Sequence, residues 1–340
     1  MDRPAPLRPI RHVRLPGHGP EDVITDPRGR ILTGVADGRI LRLDGLAGPA
    51  ALDGLADPAA LDGLADPAAP PPRVETLADT GGRPLGLELL PDGDLLVCDA
   101  ERGLLRADLT TGAVRVLADE VAGERLRFAS NVVAGPDGSV YVTVSSRRHP
   151  LRHWLADIVE DTRTGRLLRL APGSTAFEVL LEGLRFANGL ALSADGTFLV
   201  LAETGACRLT RYWLTGPRAG HSEPFAENLP GMPDNLWRSG PDGPIWVALA
   251  GPRVPALDVL HRAAPAARRL AARAAVHAPF RPTGAAAVLA VDDDGRTVHH
   301  LARRHSRFRM VTSVCATAGH LVLGSLWEPG VAVCALPAGG

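Results

Sequence analysis

Lysine is absent from this chain: all 37 of its lysine-plus-arginine positions are arginine. Enzymes that form a Schiff base on a lysine, or that hold a nucleotide with a phosphate-loop lysine, are therefore excluded. The formal net charge is -1, so the chain has no basic excess of the kind that draws proteins to nucleic acid. We expect no nucleic-acid partner.

Cysteine is scarce as well. Cys98, Cys207, Cys315 and Cys334 stand singly with no CxxC pair, a pattern that poorly matches a zinc site or a disulfide framework and is typical of buried free thiols. No hydrophobic run reaches membrane-spanning length, and residues 1–17 hold prolines and arginines but no apolar core of a secretory signal. These absences predict a cytoplasmic protein with no membrane partner.

One phrase recurs along the chain: a polar residue, an apolar run, a glycine turn and a second apolar run. Asp-Gly between alternating apolar runs is a hairpin signal, and its recurrence about every 45 to 65 residues predicts repeated four-stranded blades. Because the innermost strands of a propeller surround one axis, the polar residues that begin the phrases are expected to converge there. They are Glu21, Ser130, Asn188 and the pair Asp234-Asn235.

The predicted fold is all-β: a six-bladed β-propeller with short helical excursions, forming one domain over residues 1–340. The sixth blade lacks an outer strand at its C-terminal end, and Arg11 to Leu15 is predicted to supply it and close the ring with both chain ends. The blades are predicted to begin at Glu21, Pro84, Ser130, Asn188, Asp234 and Thr312.

Three segments interrupt the blades. Residues 43–72 contain three tandem nine-residue units followed by prolines, which predicts a low-complexity surface insertion between two strands. Residues 147–162 place apolar side chains at helical spacing, and residues 255–276 are rich in alanine and arginine and are split by Pro265. Both helical excursions are expected between the second and third strands of their blades, where they cap one face of the ring.

Several runs carry a resemblance to a known family. FASNVVAGPDGSVYVTVSS (128–146), LLEGLRFANGLALSADGTFLVLAET (180–204) and LPGMPDNLW (229–237) resemble the strictosidine synthase-like branch of the calcium-dependent six-bladed propellers. That wider group includes paraoxonases, gluconolactonase/regucalcin and the adipocyte plasma membrane-associated protein. The resemblance implies a calcium ion on the propeller axis and hydrolysis of a lactone or small ester.

The resemblance also implies a ligand set. The wider family holds its axial calcium with a glutamate in the first blade, asparagines in later blades and an aspartate in the fifth, and Glu21, Asn188 and Asp234 fall on those positions. In the third blade the family position is Ser130, and Asn131 comes one place late, so Asn131 reaches the axis only if the strand start is irregular. We predict Glu21, Asn131, Asn188 and Asp234 as metal ligands, with Ser130 as the competitor of Asn131.

Two departures from the family pattern bear on activity. Paraoxonase-like lactonases carry a histidine in the second blade, where this chain has Leu85. Strictosidine synthase itself uses a glutamate at the start of its last blade, where this chain reads Val311-Thr312-Ser313. Without a carboxylate there, the condensation of an amine with an aldehyde lacks its proton-transfer group, so alkaloid synthesis is not expected.

Two functional hypotheses follow. The first is a calcium-dependent hydrolase of a lactone or small ester, in which Asp234 or Glu21 holds or deprotonates the attacking water and Ser130 and Asn235 contact the substrate. The second is a non-catalytic ligand-binding or scaffold propeller that keeps a structural calcium. The sequence does not separate calcium from magnesium or manganese, and it leaves the oligomeric state open.

Overall fold

The computed structural model describes residues 3–7, 10–46 and 72–337. Strands in the first half of these residues are β1 (Ala5–Pro6), β2 (Ile10–Arg14), β3 (Val23–Thr25), β4 (Ile31–Gly34), β5 (Arg39–Asp44), β6 (Arg73–Asp79), β7 (Pro84–Leu89), β8 (Leu95–Asp99), β9 (Gly103–Ala107), β10 (Val114–Ala118), β11 (Glu120–Val121), β12 (Glu124–Arg125), β13 (Ala129–Ala134) and β14 (Val140–Val144). The second half holds β15 (Gly165–Leu170), β16 (Phe177–Leu184), β17 (Ala187–Leu192), β18 (Phe198–Glu203), β19 (Arg208–Trp213), β20 (Ser222–Ala226), β21 (Gly231–Arg238), β22 (Ile245–Pro252), β23 (Ala285–Val291), β24 (Thr297–Arg304), β25 (Val311–Thr317), β26 (His320–Ser325) and β27 (Gly330–Ala335).

These strands form six blades, which confirms the predicted propeller. Blades 1 to 4 are β3 to β6, β7 to β10, β13 to β16 and β17 to β20, each an antiparallel sheet in chain order. Blade 5 is β21 to β24 with β1 added at its outer edge, and blade 6 is β25 to β27 with β2 added. β11 and β12 form a separate small hairpin.

The N-terminal strand closes the ring. β2 runs antiparallel to β27, with Ile10 opposite Cys334 and Arg14 opposite Gly330. The predicted closing segment, Arg11 to Leu15, is therefore displaced by one residue from the observed strand. Just before it, β1 lies parallel to β24 of blade 5, with Ala5 opposite Leu301. The unpaired backbone groups of an edge strand can pair with another chain and cause aggregation. β2 covers the edge that β27 would otherwise expose.

The Asp-Gly turns behave as their sequence predicts. In blade 3 the Ser139 amide donates to Oδ1 of Asp137 at 3.0 Å, and the Gly135 amide donates to the Ser139 carbonyl at 2.7 Å. Gly138 occupies the left-handed region with φ 79°, which glycine adopts without the steric cost of a side chain. The turn is thus fixed by its own residues and sets the register of the hairpin.

Blades pack face to face through alternating side chains, as β22 illustrates. Trp246 and Ala248 belong to an apolar cluster shared with blade 6, whereas Ile245, Val247 and Leu249 belong to one shared with blade 4. Because strand side chains alternate between the two faces, a strand buried on both faces is apolar throughout. This packing holds the innermost strands at fixed positions around the axis.

Both helical excursions are present. A 3₁₀ turn at Leu151–His153 leads into α1 (Trp154–Glu160), between β14 and β15. α2 (Pro255–Leu260) and α3 (Pro265–His277) lie between β22 and β23, with Pro265 at the start of the second helix. Of the insertion predicted at 43–72, residues 47–71 lie outside the described residues, and the strands that flank it, β5 and β6, pair with each other. Across the described ranges, no helix has the length and hydropathy needed to cross a bilayer.

The innermost strands share an irregularity. In β7, β13, β17 and β21 two residues oppose one residue of the neighbouring strand, at Leu85-Gly86, Ser130-Asn131, Asn188-Gly189 and Asp234-Asn235. Such β-bulges redirect side chains and are frequent next to active sites. The irregular strand start that Asn131 requires in order to approach the axis is therefore present.

Glycine is required beside these bulges because the strands come very close together. A Cβ atom on Gly189 would lie 2.4 Å from the Leu236 nitrogen and 2.5 Å from the Asp234 carbonyl oxygen. On Gly86 it would lie 2.5 Å from the Asn131 Cα. The glycines thus let neighbouring blades approach at the depth of the polar residues.

Candidate functional site

Six residues, one from each blade, line a single cavity of about 310 Å³ at one end of the axis. All six are buried. We call this set the axial ring: Glu21, Leu85, Ser130, Asn188, Asp234 and Thr312. Blade geometry therefore brings together positions that lie as far apart in the sequence as Glu21 and Thr312, and Thr312 Oγ1 donates to the Glu21 carbonyl oxygen at 2.6 Å.

Two carboxylates of the ring are incompletely satisfied. Glu21 Oε1 accepts a hydrogen bond from Asn235 Nδ2 at 3.1 Å. Glu21 Oε2 and Asp234 Oδ1 are buried without a hydrogen-bond partner among the described residues. Buried polar atoms in native proteins are nearly always paired, so these two oxygens make the axial ring a candidate binding site.

The electrostatics of the pair agree with this. Burial raises the pKa of Glu21 well above its ordinary value, and the neighbouring Asp234 carboxylate raises it further. Burial also raises the pKa of Asp234, to about 8. The positive charge of Arg83 lowers the pKa of Glu21, but the Nη2 atom of Arg83 donates its hydrogen bond to the Gly19 carbonyl oxygen at 2.8 Å. Two such carboxylates hold protons near neutrality unless a cation stabilises their charge.

Amide and hydroxyl groups complete the polar floor of the cavity. Ser130 Oγ donates to Asn188 Oδ1 at 3.1 Å, and Asn188 Nδ2 donates to Thr204 Oγ1 at 3.2 Å. Thr204 Oγ1 in turn donates to the Pro233 carbonyl at 2.6 Å. The side-chain oxygen Oδ1 of Asn188 thus accepts from Ser130 of the neighbouring blade, and the hydrogen bond to Thr204 fixes the orientation of the amide group.

Asn131 and Asn235 form a second layer beside the ring. Asn131 Nδ2 donates to Asn235 Oδ1 at 2.9 Å, while its Oδ1 accepts from the Leu190 amide at 3.1 Å. Neither asparagine lines the cavity of the axial ring; Asn131 lines a different cavity together with Asp22. In the third blade Ser130 therefore occupies the ring position, and both side-chain atoms of Asn131 are engaged elsewhere.

The described residues contain no group of three or more histidine, cysteine, aspartate and glutamate side chains placed to hold a metal. A cation in the ring would accordingly depend on amide, hydroxyl and backbone oxygens beside two carboxylates. Calcium accepts such hard oxygen ligands, six to eight of them in flexible geometry. The chemistry of the ring thus fits calcium and fits zinc poorly.

Above its polar floor the cavity is walled by apolar side chains. Phe128 and Phe186 meet edge to face with their centroids 5.4 Å apart, and Trp154 meets Phe280 in the same way at 4.9 Å. Leu85 contributes to the same wall. The helical excursions supply further members of it, which are Leu151, Leu155, Ile158, Val254 and Leu257.

Part of this wall was missed by the sequence reasoning, although a signal exists. Phe128, Phe186 and Met310 each stand two residues before a ring position and have positive φ of 58°, 61° and 53°. Bulky residues rarely adopt this conformation, and such strained positions cluster at functional sites. In the sequence the signal is a repeated phrase, Arg-Phe-Ala before Ser130 and again before Asn188.

Comparison with known proteins agrees with this arrangement. A strictosidine synthase family model matches residues 130–217, and a model of the strictosidine synthase-like N-terminal region matches residues 6–43. The chain is 35% identical over 260 residues to Protein STRICTOSIDINE SYNTHASE-LIKE 6 of Arabidopsis thaliana, covering 75% of this chain and 67% of that protein. The chain belongs to the strictosidine synthase-like family.

Other family members are similar over a smaller share of their length. Protein STRICTOSIDINE SYNTHASE-LIKE 10 of Arabidopsis thaliana is 37% identical over 234 residues, which make up 68% of this chain and 60% of that protein. The adipocyte plasma membrane-associated protein of Danio rerio is 35% identical over 65% of this chain and 51% of its own. This strictosidine synthase-like chain thus spans about half to two thirds of the length of these relatives.

Solved structures share the fold of this strictosidine synthase-like protein at low identity. A gluconolactonase from Xanthomonas campestris superposes with a TM-score of 0.62 at 17% identity, covering 98% of this chain and 96% of its own. Regucalcin from Agrobacterium tumefaciens, described as a calcium-binding protein, gives a TM-score of 0.63 at 17% identity, with coverages of 98% and 95%. At this identity the likeness shows the propeller fold alone.

Proposed function

We propose that the axial ring is the active site of a calcium-dependent hydrolase that acts on a lactone or another small ester with an apolar body. The observation that carries the proposal is a pair of buried carboxylate oxygens, Glu21 Oε2 and Asp234 Oδ1, which have no hydrogen-bond partner in the described part of the chain and lie at the floor of an apolar cavity. A hydrophobic pocket with a few convergent polar groups and shifted pKa values is typical of small-molecule active sites.

The ion would be held by Glu21, Asn188 and Asp234, with Ser130 as the hydroxyl neighbour in the third blade. When bound, calcium polarises a carbonyl group and stabilises the negative charge that develops on its oxygen. Asn131 has a supporting role in this proposal, since its side chain holds Asn235, which in turn donates to Glu21.

The chain's own residues supply the remaining functions. Among the described residues, Asp234 Oδ1 and Glu21 Oε2 have no hydrogen-bond partner. Whichever of the two the ion leaves uncoordinated would take the proton of the attacking water as the water oxygen bonds to the carbonyl carbon, and would return that proton to the alcohol oxygen that departs when the ester C–O bond breaks. Phe128, Phe186 and Leu85 exclude bulk water, which strengthens electrostatic interactions on the cavity floor. The small number of hydrogen-bonding groups above the floor favours an alkyl or aryl substrate over a sugar.

The fold comparisons support the reaction class only in outline. One structural neighbour is a gluconolactonase and another binds calcium. Leu85 and Thr312 occupy the ring positions where the paraoxonase-like histidine and the glutamate of strictosidine synthase are expected. Neither leucine nor threonine transfers protons near neutrality, so the proposal excludes a histidine dyad and amine–aldehyde condensation.

A second candidate is a ligand-binding propeller in which calcium has only a structural role. The observation that favours it is the presence of Leu85 and Thr312 at the two ring positions where catalytic relatives carry a histidine and a glutamate. Of the six residues of the axial ring, Asp234 and Glu21 are then the only ionisable ones. The two candidates differ in one measurable property, which is turnover.

The test combines metal binding and hydrolysis. Metal-stripped protein is titrated with calcium, and a panel of lactones and aryl esters is assayed with calcium and with a chelator. We expect calcium-dependent turnover that Asp234→Asn abolishes, whereas Asp195→Ala, in an exposed turn whose carboxylate binds Thr197, leaves it unchanged. Calcium binding without turnover on the panel would favour the ligand-binding candidate, and absence of calcium binding would reject both.

A further inference from the structure

Three aromatic side chains form a continuous seam at the rim of the cavity. Trp154 contacts Phe280 edge to face at 4.9 Å, and Phe280 contacts Trp327 at 6.1 Å with the rings at 77°. We call these three residues the aromatic seam. T-shaped pairs at these distances are favourable beyond the area that they bury, so the seam has a preferred closed arrangement.

The seam joins three separate blades. Trp154 begins α1 in blade 3, Phe280 lies in the connection from α3 to β23 in blade 5, and Trp327 lies between β26 and β27 in blade 6. Trp154 and Phe280 line the cavity, whereas Trp327 does not and is 44% exposed. The seam therefore runs from the cavity wall to the surface, with Phe280 in the middle.

Phe280 and Trp327 both lie outside helices and strands, and of these two only Phe280 lines the cavity. Its neighbours Arg281, Pro282 and Thr283 also line the cavity, and the whole connection lies between the end of α3 at His277 and the start of β23 at Ala285. Loop residues move more readily than residues in helices and strands. Displacement of the Phe280 ring would open the cavity beside Trp154 without changing the axial ring.

We propose that Phe280 determines the size of the apolar group that the cavity admits. The ring of Phe280 closes the wall next to Trp154, so a substrate chain that extends beyond the cavity must displace it from both tryptophans. Removing the ring would extend the cavity towards Trp327, whose partly exposed side chain would give longer chains apolar surface to contact. This inference rests on the proposed function for its substrates, but the binding of apolar molecules is independent of hydrolysis.

The experiment uses a homologous series of p-nitrophenyl esters: acetate, butyrate, hexanoate and octanoate. For Phe280→Ala we expect the ratio of kcat/KM for octanoate to that for acetate to rise about tenfold over the wild-type ratio, because apolar contacts of one or more methylene groups discriminate at this level. Phe280→Leu, which retains part of the volume, should give an intermediate ratio. Leu270→Ala, an exposed residue of α3, is the matched control and should leave the ratio unchanged.

A second readout separates this inference from the proposed hydrolase. Methyl ketones with the same alkyl chains cannot be hydrolysed, and their binding is measured by calorimetry on the calcium-loaded and metal-stripped protein. Tighter binding of the long ketones to Phe280→Ala supports the seam even if no ester is hydrolysed. The proposed role of Phe280 would be overturned by a chain-length dependence that is unchanged in both assays, or by ketone binding that is equally weak in wild type and variant. Neither result would decide the hydrolase proposal, which has its own test.

Discussion

The Asn235 side chain donates from Nδ2 to Oε1 of Glu21 at 3.1 Å, and its own Oδ1 accepts from Asn131 at 2.9 Å. The hydrogen bond to Glu21 joins blade 5 to the residue two places before β3, the first strand of blade 1. It fixes one oxygen of Glu21 and leaves the other, Oε2, without a hydrogen-bond partner among the described residues. Asn235 is thus a positioning residue for the first proposed calcium ligand.

Replacing Asn235 by alanine should weaken calcium binding about tenfold, because groups that orient a metal ligand commonly contribute that much to affinity. The measurement is a calorimetric titration of metal-stripped protein. Asn228→Ala is the control, since Asn228 is exposed, its side chain accepts from Arg253 at 3.2 Å and it does not line the cavity of the axial ring. Equal affinities for wild type and Asn235→Ala would show that Glu21 needs no such support.

Calcium should become a better stabiliser as pH rises. Burial raises the pKa of Asp234 to about 8 and that of Glu21 in the same direction, so the folded protein binds protons that the unfolded chain has released. The stability conferred by these groups is complete below their unfolded pKa values and is lost as pH rises through the folded ones. Without calcium, Tm should therefore fall between about pH 5 and about pH 9.

Calcium replaces these protons, so its effect on Tm should be small at the acid end of that range and largest at the alkaline end. Thermal unfolding with calcium and with a chelator measures the difference. Asp234→Asn should reduce the pH dependence in the absence of metal. A calcium effect that is the same at both ends of the range would mean that these carboxylates do not exchange protons for the ion.

Gly189→Ala should destabilise the protein by about 2 kcal/mol or more, as overpacking a rigid core does. The added Cβ would lie 2.4 Å from the Leu236 backbone nitrogen, and backbone cannot move aside as a side chain can. Urea unfolding measures the change. Gly284→Ala is the control because the nearest atom to its Cβ lies at 3.5 Å, and it should unfold like the wild type.

Asp161, which follows α1, should hold α3 in place over the propeller. Its buried carboxylate accepts from Arg185 Nε at 2.6 Å and from Arg268 Nη1 of α3 at 3.2 Å. Asp161→Asn keeps a residue that tolerates the observed φ of 55° but loses the charge. We expect trypsin to cleave within α3 faster in Asp161→Asn than in the wild type. Mass spectrometry of the fragments measures the rate. Asp258→Ala, whose ion pair with Arg253 is exposed, should be cleaved like the wild type.

Much of this architecture was predictable from the sequence because it is local and periodic. The Asp-Gly turns, the helical spacing after residue 147 and the polar residues that begin the blades are all signals of a few residues each. Counting eight positions back from the turn glycines locates Glu21, Leu85, Ser130 and Asn188, but in blades 5 and 6 it falls one place from the ring position, on Asn235 and Val311. The assignment of Glu21, Asn188 and Asp234 as metal ligands remains a prediction, supported by their convergence.

What the sequence could not supply depends on tertiary packing. Whether Ser130 or Asn131 lies in the ring is decided by a bulge that seats two residues opposite one, and strand alternation alone does not reveal it. The aromatic seam is assembled from three blades, and its members follow no regular spacing in the sequence that could have predicted their contact. Thr204 was missed because its hydroxyl acts through Asn188 from the end of a different strand.

The pairing of β2 with β27 also governs the order of events during synthesis. β27 follows every other strand of the ring in the sequence, so β2 can pair with it, Ile10 opposite Cys334, only after the rest of the ring has been synthesised. The hydrogen bond from Thr312 to Glu21 joins the same last blade to blade 1. The axial ring is therefore complete only when the propeller has closed, and calcium uptake by the nascent protein would report that final step of folding.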